Sequence, residues 1–402
     1  MRIELVSEHA NPLGAVGGVD AGGQNVHVAA LASGLSRRGH DVIVSTRRDD
    51  PRLPHRVVAP EGYVVEHVPA GPPTEIPKDD LLPHMDELSD HLKTRWAADP
   101  PDVVHAHFWM SGLAALSAGR AVDVPVVQTF HALGVVKRRH QQDRDTSPPT
   151  RIDQESQLCR SVDHVVATCR DEVDELVAMG MDRARATIVP CGVDTDLFTP
   201  GPPRKGGPSR LLVVGRLVER KGVADVVTAL ADLPDVELYV VGGPREDGLA
   251  LDPEACRLRE LTLRNGTAER VHLLGARSRS QMPKLIRSVD VVVAVPWYEP
   301  FGIVPLEAMA CARPVVGSAV GGLLDTVVPG MCGELVPPRR PDRLADVLRE
   351  LLADRPGREA YGAAGLARVR ARYGWQRVCE RTERVYDGVL ARTDERSLGV
   401  AP

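Results

Sequence analysis

The chain has 402 residues, with 50 Lys and Arg against 55 Asp and Glu and a formal net charge of -5. At roughly 100–200 residues per domain, this length predicts two domains with a buried core in each. Hydrophobic residues at 43% and charged residues at 26% exclude a disordered chain, and basic residues scattered among acids exclude a general nucleic-acid binder.

Short β-branched runs at 3–7, 41–46, 102–105, 125–129, 164–167 and 187–189 read as strands. They alternate with helical patterns at about 23–38, 79–96 and 151–161, the rhythm of a parallel α/β sheet. The run Thr199-Pro200-Gly201-Pro202-Pro203-Arg204-Lys205-Gly206-Gly207-Pro208 supports neither helix nor strand and reads as a linker. The rhythm then restarts, with strands at 210–215, 237–242, 271–273, 290–294 and 314–317 and helices from 222 and over 254–265. Two helical stretches close the chain between 357 and 390. The expected architecture is two Rossmann-like, doubly wound domains facing an interdomain cleft. Residues 1–198 form the first and 199–374 the second, with a last helix at about 375–392 returning to the first.

The seven cysteines are odd in number and never form a Cys-x-x-Cys pair, which disfavours disulfide frameworks and zinc sites. The opening segment has Glu4 inside its apolar stretch, and no apolar run reaches the roughly 18–20 residues of a membrane span. A cytoplasmic protein without integral membrane contact is expected, and a homodimer is compatible with the sequence.

Neither the dinucleotide glycine fingerprint, the P-loop, the zinc-protease motif nor the hydrolase elbow is present. Three other signals remain. Gly22 and Gly23 open a helix where free backbone N–H groups can meet an anion, although a flexible loop explains them equally well. Arg216 follows a strand end and Lys221 precedes a helix, so the two cations can converge on a diphosphate, the alternative being a solvated basic loop. Glu299 and Glu307 flank Phe301-Gly302-Ile303. Gly302, Ile303 and Val304 can offer N–H groups at a helix start, and Glu307 can accept two ribose hydroxyls, while the bland reading makes these acids partners of the helix dipole.

The run from Glu299 through Pro300-Phe301-Gly302-Ile303-Val304-Pro305-Leu306-Glu307 closely resembles the nucleotide-sugar segment of family-4 retaining glycosyltransferases of the GT-B fold. The resemblance extends over nearly the whole chain: 22–25, 103–112, 128–134, 189–200, 215–222 and 240–244 follow the family's order. It implies that Gly22 and Gly23 meet the sugar diphosphate and that Arg216 and Lys221 hold it. Glu307 would take the ribose, Glu299 with the amides of Gly302 to Val304 would grip the donor sugar, and His131 would lie beside the anomeric carbon. It further implies front-side attack with retention, no protein nucleophile, and no cofactor or metal. Asp194-Thr195-Asp196, which looks like a metal-binding Asp-x-Asp, is read as structural.

Within the family, the mycothiol-pathway glycosyltransferase and sucrose-phosphate synthases are the nearest patterns. Both use a phosphorylated polyol or sugar, so the expected partners are a nucleotide-sugar donor, with uridine as the expected base, and a small anionic acceptor. Asn25, Lys78 and Arg151 match acceptor-binding positions. Phe108 and Ala132 stand where the mycothiol enzyme's tyrosine and threonine would be, which argues for an anion held differently and against inositol phosphate itself. Lys137-Arg138-Arg139-His140 can add charge or form a solvated basic turn. His105 and His107, at a strand end, read as cleft lining or core. The alternatives are a nucleotide-sugar epimerase or hydrolase, a transferase for unphosphorylated or lipid acceptors, and a non-catalytic sugar-nucleotide binder.

Overall fold

Val- and Ile-rich runs separated by amphipathic stretches build two parallel sheets in the computed structural model, which describes residues 1–14, 22–202 and 206–397. The chain divides into two units, Met1–Cys191 with Trp375–Pro402, and Gly192–Gly374.

Unit 1 runs β1 (Arg2–Val6), α1 (Gly23–Arg37), β2 (Asp41–Arg47), β3 (Arg56–Val58), β4 (Val64–Val68), α2 (Met85–Ala98), β5 (Val103–His107), α3 (Trp109–Val122), β6 (Val126–Thr129), α4 (Gly134–Gln141), α5 (Arg151–Ser161), β7 (His164–Ala167), α6 (Arg170–Ala178) and β8 (Ala186–Ile188). Its sheet order is β3-β4-β2-β1-β5-β6-β7-β8, with only β3 antiparallel to its neighbour. Unit 2 runs β9 (Ser209–Val214), α7 (Val223–Ala229), β10 (Val236–Val241), α8 (Pro253–Arg264), β11 (Val271–Gly275), α9 (Met282–Arg287), β12 (Val291–Ala294), α10 (Ile303–Ala310), β13 (Val315–Ser318), α11 (Leu323–Thr326), β14 (Gly333–Val336), α12 (Pro341–Ala353) and α13 (Arg355–Arg372). Its order is β11-β10-β9-β12-β13-β14. The last helix, α14 (Trp375–Ser397), belongs to unit 1.

The sheet of unit 1 is buried on both faces, as a parallel sheet must be. On one face Ile3 and Leu5 pack with Val28 and Leu31 of α1 and with Tyr386 and Val389 of α14. On the other, Val104 and Ala106 pack with Leu88 and Trp96 of α2 and Trp109 of α3. The α1–α14 contact is tight at Gly34, where an added Cβ would lie 2.3 Å from Cys379 Sγ.

Several expectations change. The division falls at Cys191–Gly192 and not at the proline-rich run, because that run is pinned to unit 2. The Arg287 guanidinium donates to the Thr199 carbonyl at 3.1 Å, and Phe198 is buried beneath Arg279. Residues 203–205 of that run lie outside the described residues. The helix expected over 79–96 begins at Met85, after two 3-10 turns at Lys78–Asp80 and Leu82–His84. Pro83 cannot donate a helical hydrogen bond, so one α-helix cannot run through it. The pair β3 and β4 and the apolar helix α3 were not anticipated. All seven cysteines are free, and no helix among the described residues is long and apolar enough to cross a membrane.

Candidate active site

In unit 1 the strand order reverses at β1, which pairs with β2 on one side and β5 on the other. In open α/β sheets ligands gather at such a reversal, beyond the carboxyl ends of the strands. There Gly22 caps α1 and Gly23 is its first residue, both exposed. Helix geometry leaves the first amides without intrahelical acceptors. The preceding residues, 15–21, lie outside the described residues. Asn25 is buried, and its Oδ1 accepts from the Gly22 amide at 3.1 Å while its Nδ2 donates to the Asn11 carbonyl at 3.1 Å. Its side chain therefore ties the start of α1 to Asn11.

His131 follows β6 with a left-handed φ of 61°, a conformation that histidine adopts more readily than most side chains. Its Nε2 lies 3.0 Å from Nδ1 of His107, the last residue of β5. Behind them, His105 bonds to Tyr386 Oη at 2.7 Å and to Thr129 Oγ1 at 2.9 Å. His27 packs edge-on to His131 at 5.1 Å. Burial, reinforced by the neighbouring imidazoles, pushes His131 and His107 well below the ordinary histidine value and brings His105 to about 3, while burial alone brings His27 to about 4. Four neutral imidazoles result. His105 and His107 are core groups, as one of the sequence readings had them, but hydrogen-bonded ones.

Lys78 and Arg151, read as acceptor cations, meet on one aromatic ring. Lys78 Nζ lies 5.6 Å and the Arg151 guanidinium 5.1 Å from the Phe108 centroid. Phe108 caps α3 with φ 82°. Arg151 is buried and strongly engaged: its Nε donates to Glu155 at 2.7 Å, Nη1 to Ser147 at 3.2 Å and Nη2 to the Ala132 carbonyl at 2.7 Å. The second Glu155 oxygen accepts the Gly134 amide at 2.7 Å. Three of the five guanidinium donors are thus committed and the charge is balanced by Glu155.

Unit 2 reverses its order at β9, which pairs with β10 and β12. Arg216 stands exposed just beyond β9. Lys221 ends a 3-10 turn, and its ammonium donates to Glu299 in the loop after β12. Gly222 closes this turn at φ 71°, where a Cβ would lie 2.0 Å from the Val295 carbonyl oxygen, so only glycine lets the two loops approach. Burial would raise the Glu299 carboxyl, but Lys221 and Arg220 hold it below its ordinary value. Gly302 caps α10 at φ 88°. The amides of Gly302, Ile303 and Val304 lack intrahelical acceptors, and Pro305 has none to offer. Glu307 is buried one turn further on, and Arg279 donates to its Oε1 at 3.0 Å. Burial raises Glu307 to about 7 despite the arginine.

The structure therefore brings together Lys221 with Glu299, Gly302 with Glu307, Lys78 with Arg151, and His131 with His107. Sequence reasoning missed Arg279, which no motif marks, and the aromatic platform of Phe108, where only the residue type could have hinted at cation stacking.

Other polar groups are structural. Asp194 Oδ1 accepts the amides of Asp196 and Leu197 at 3.0 Å, the pattern of a turn. The basic run of α4 is balanced: Lys137 lies 3.1 Å and Arg138 3.0 Å from Asp145, and Arg139 grips Glu175. His55, Glu66 and His91 offer metal-type atoms within 4.8 Å of one another beside a cavity of about 700 Å³. Arg95 Nε, however, sits 3.1 Å from Glu66 Oε1 and its Nη2 bonds Glu4, so a guanidinium supplies the cation there.

Two parallel α/β units whose strand reversals carry a glycine-capped helix, a Lys–Glu pair and a buried carboxylate define a GT-B glycosyltransferase. Residues 21–197 match Glycosyltransferase Family 4 and residues 195–368 match Glycosyl transferases group 1. The chain is 37% identical to D-inositol 3-phosphate glycosyltransferase 1 of Catenulispora acidiphila over 97% of this chain and 96% of that one. It is 35% identical to the D-inositol 3-phosphate glycosyltransferase of Stackebrandtia nassauensis over 97% and 92%. Among solved structures, sucrose-phosphate synthase from Thermosynechococcus elongatus superposes with a TM-score of 0.88 at 30% identity, over 97% of this chain and 99% of that one. The chain belongs to this glycosyltransferase family and is an enzyme of the hexosyltransferase class.

Proposed function

We propose that the protein is a retaining, metal-independent glycosyltransferase that moves a hexose-type unit from a UDP-sugar to a small phosphorylated polyol or sugar. The observation that carries this reading is the assembly at the β9–β12 reversal, where Lys221, Glu299, the α10 amides and Glu307 lie together. In the proposed reaction Arg216 and Lys221 hold the diphosphate and Glu307 the ribose, while Glu299 accepts sugar hydroxyls. Gly23 adds its amide to the diphosphate, Gly22 leaves room for its approach, and His131 meets the sugar. The bond from the anomeric carbon to the diphosphate oxygen breaks and leaves its electron pair on that oxygen. A bond from the acceptor oxygen forms on the same face, and the acceptor proton passes to the diphosphate. Catalysis is then positioning plus charge stabilisation, each of which is worth several kcal/mol.

The acceptor class is supported by the names of the relatives, one an inositol-phosphate glycosyltransferase and one a synthase whose product is a sugar phosphate, and by Lys78 and Arg151 at the Phe108 ring. Phe108 and Ala132 offer no side-chain hydroxyl to a phosphate, so Lys78 carries most of the proposed anion contact. The test is product analysis with UDP-, GDP- and ADP-sugars, each with inositol phosphate, fructose phosphate or the unphosphorylated counterpart, with and without a chelator. An α-linked product from a UDP-sugar, formed only with a phosphorylated acceptor and unaffected by chelator, is expected. Turnover only with unphosphorylated or lipid acceptors would overturn the acceptor assignment, and a β-linked product would overturn retention.

A further inference from the structure

The buried imidazoles behind His131 carry a proton arrangement that their hydrogen bonds determine. Thr129 Oγ1 donates to the Val166 carbonyl at 2.9 Å. A hydroxyl has one hydrogen, so the same oxygen must accept from His105 Nε2. Neutral His105 then has a lone pair on Nδ1, which accepts the Tyr386 hydroxyl hydrogen. His105 is therefore fixed as the Nε2–H form, with Tyr386 of α14 clamping its other edge.

The same reasoning applies one ring further out. His107 packs against His105 with centroids 4.3 Å apart, and His107 Nδ1 shares one hydrogen with His131 Nε2 across 3.0 Å. His107 Nε2 is buried and has no hydrogen-bond partner among the described residues. If His131 were the donor, the hydrogen of neutral His107 would sit on that Nε2 as a buried N–H without an acceptor. If His107 is the donor, only a bare lone pair is left there. Buried N–H groups without acceptors are the rarer of the two defects. The hydrogen therefore belongs to His107 Nδ1, and His131 keeps its own on Nδ1.

We propose that His107 is a positioning residue: by donating to His131 Nε2 it holds His131 as the Nδ1–H form, so that His131 offers the substrate a hydrogen-bond donor and no base. The inference rests on the proposed place of His131 beside the donor sugar. It deepens that reading, because a histidine so held can donate to a sugar or diphosphate oxygen but cannot take the acceptor proton, which goes to the departing diphosphate.

The experiment is a long-range ¹⁵N–¹H correlation on histidine-labelled full-length protein, with His131 and His107 assigned through single variants. The expected spectrum has both rings neutral and protonated at Nδ1, with His105 protonated at Nε2. A His131 ring protonated at Nε2 overturns the proposal whether or not the protein transfers sugar, so this arm stands apart from the failure of the functional reading. The kinetic arm compares His107→Asn, whose amide can donate from near the Nδ1 position, with His107→Leu, which cannot. Leu is expected to lower kcat by about tenfold with donor KM changed less than threefold, and Asn to recover most of it. Equal activity in the two variants would overturn the proposal.

Discussion

The cations of the two units sit in opposite electrostatic settings. In unit 2, Lys221 and Glu299 are paired but reachable, with side chains 23% and 19% exposed, and Arg216 stands exposed beside them. In unit 1, Arg151 and Glu155 are 3% and 0% exposed, the guanidinium is stacked on Phe108, and the nearby imidazoles are neutral. A reachable pair can exchange its partner for a ligand phosphate or hydroxyl at modest cost, whereas a buried pair is expensive to break. Unit 2 is thus suited to a highly charged donor. Under the proposed function, unit 1 would recognise its ligand by fixed hydrogen bonds and one half-buried lysine.

The largest expected effect tests whether charge is the working principle of unit 2. Lys221→Met should lower kcat by about 10²–10³-fold, measured by steady-state transfer. Because this variant leaves Glu299 without its partner, Lys221→Met with Glu299→Gln separates causes: recovery in the double variant would assign the loss to the orphaned carboxylate and break the comparison. Next is Glu307, whose carboxylate form is proposed to accept the ribose hydroxyls. Its carboxyl is raised to about 7, so nucleotide affinity should rise as pH increases through 7 and lose about tenfold in Glu307→Gln, with a flat pH profile in calorimetry. In the free protein the sign for stability is the reverse. A carboxyl raised above its ordinary 4.5 contributes stability that is present below that pH and lost as pH climbs through 7.

The acceptor side should respond less. Phe108→Tyr with Ala132→Thr supplies two hydroxyls at the Lys78–Arg151 position and should lower KM for a phosphorylated acceptor by roughly threefold to tenfold, leaving donor KM unchanged. No change would mean that the phosphate lies elsewhere. The smallest effect on catalysis is expected at Gly34, where an alanine Cβ would crowd Cys379 on α14. Gly34→Ala should destabilise unit 1 by about 1–3 kcal/mol in denaturant unfolding, with kcat of the folded fraction preserved.

The donor half of the candidate site was the more legible in sequence. Gly302 through Glu307 form one strand-to-helix segment, so their spacing already fixes their relation, and the β9–α7 loop does the same for Arg216 and Lys221. The acceptor half depends more on partners distant in the chain. Asn25 has a side-chain type that suits a ligand contact, and in the fold its amide also bonds the Gly22 amide and the Asn11 carbonyl. His105 and His107, two residues apart on one strand, share a face, but their partners come from β6, from the second residue after it and from α14. No local pattern marks such partners.

The sequence by itself determined the alternation of strands and helices, the two parallel sheets and the glycines at the strand reversals, because these follow from side-chain periodicity and backbone freedom within a few residues. Tertiary structure alone decided which charges are usable. It set Lys221 against Glu299 and Arg279 against Glu307, sealed Arg151 onto Glu155, moved the unit boundary to Cys191–Gly192, and lined up Tyr386, His105, His107 and His131. Burial and charge pairing depend on groups far apart in the chain, and they set the protonation that the chemistry requires.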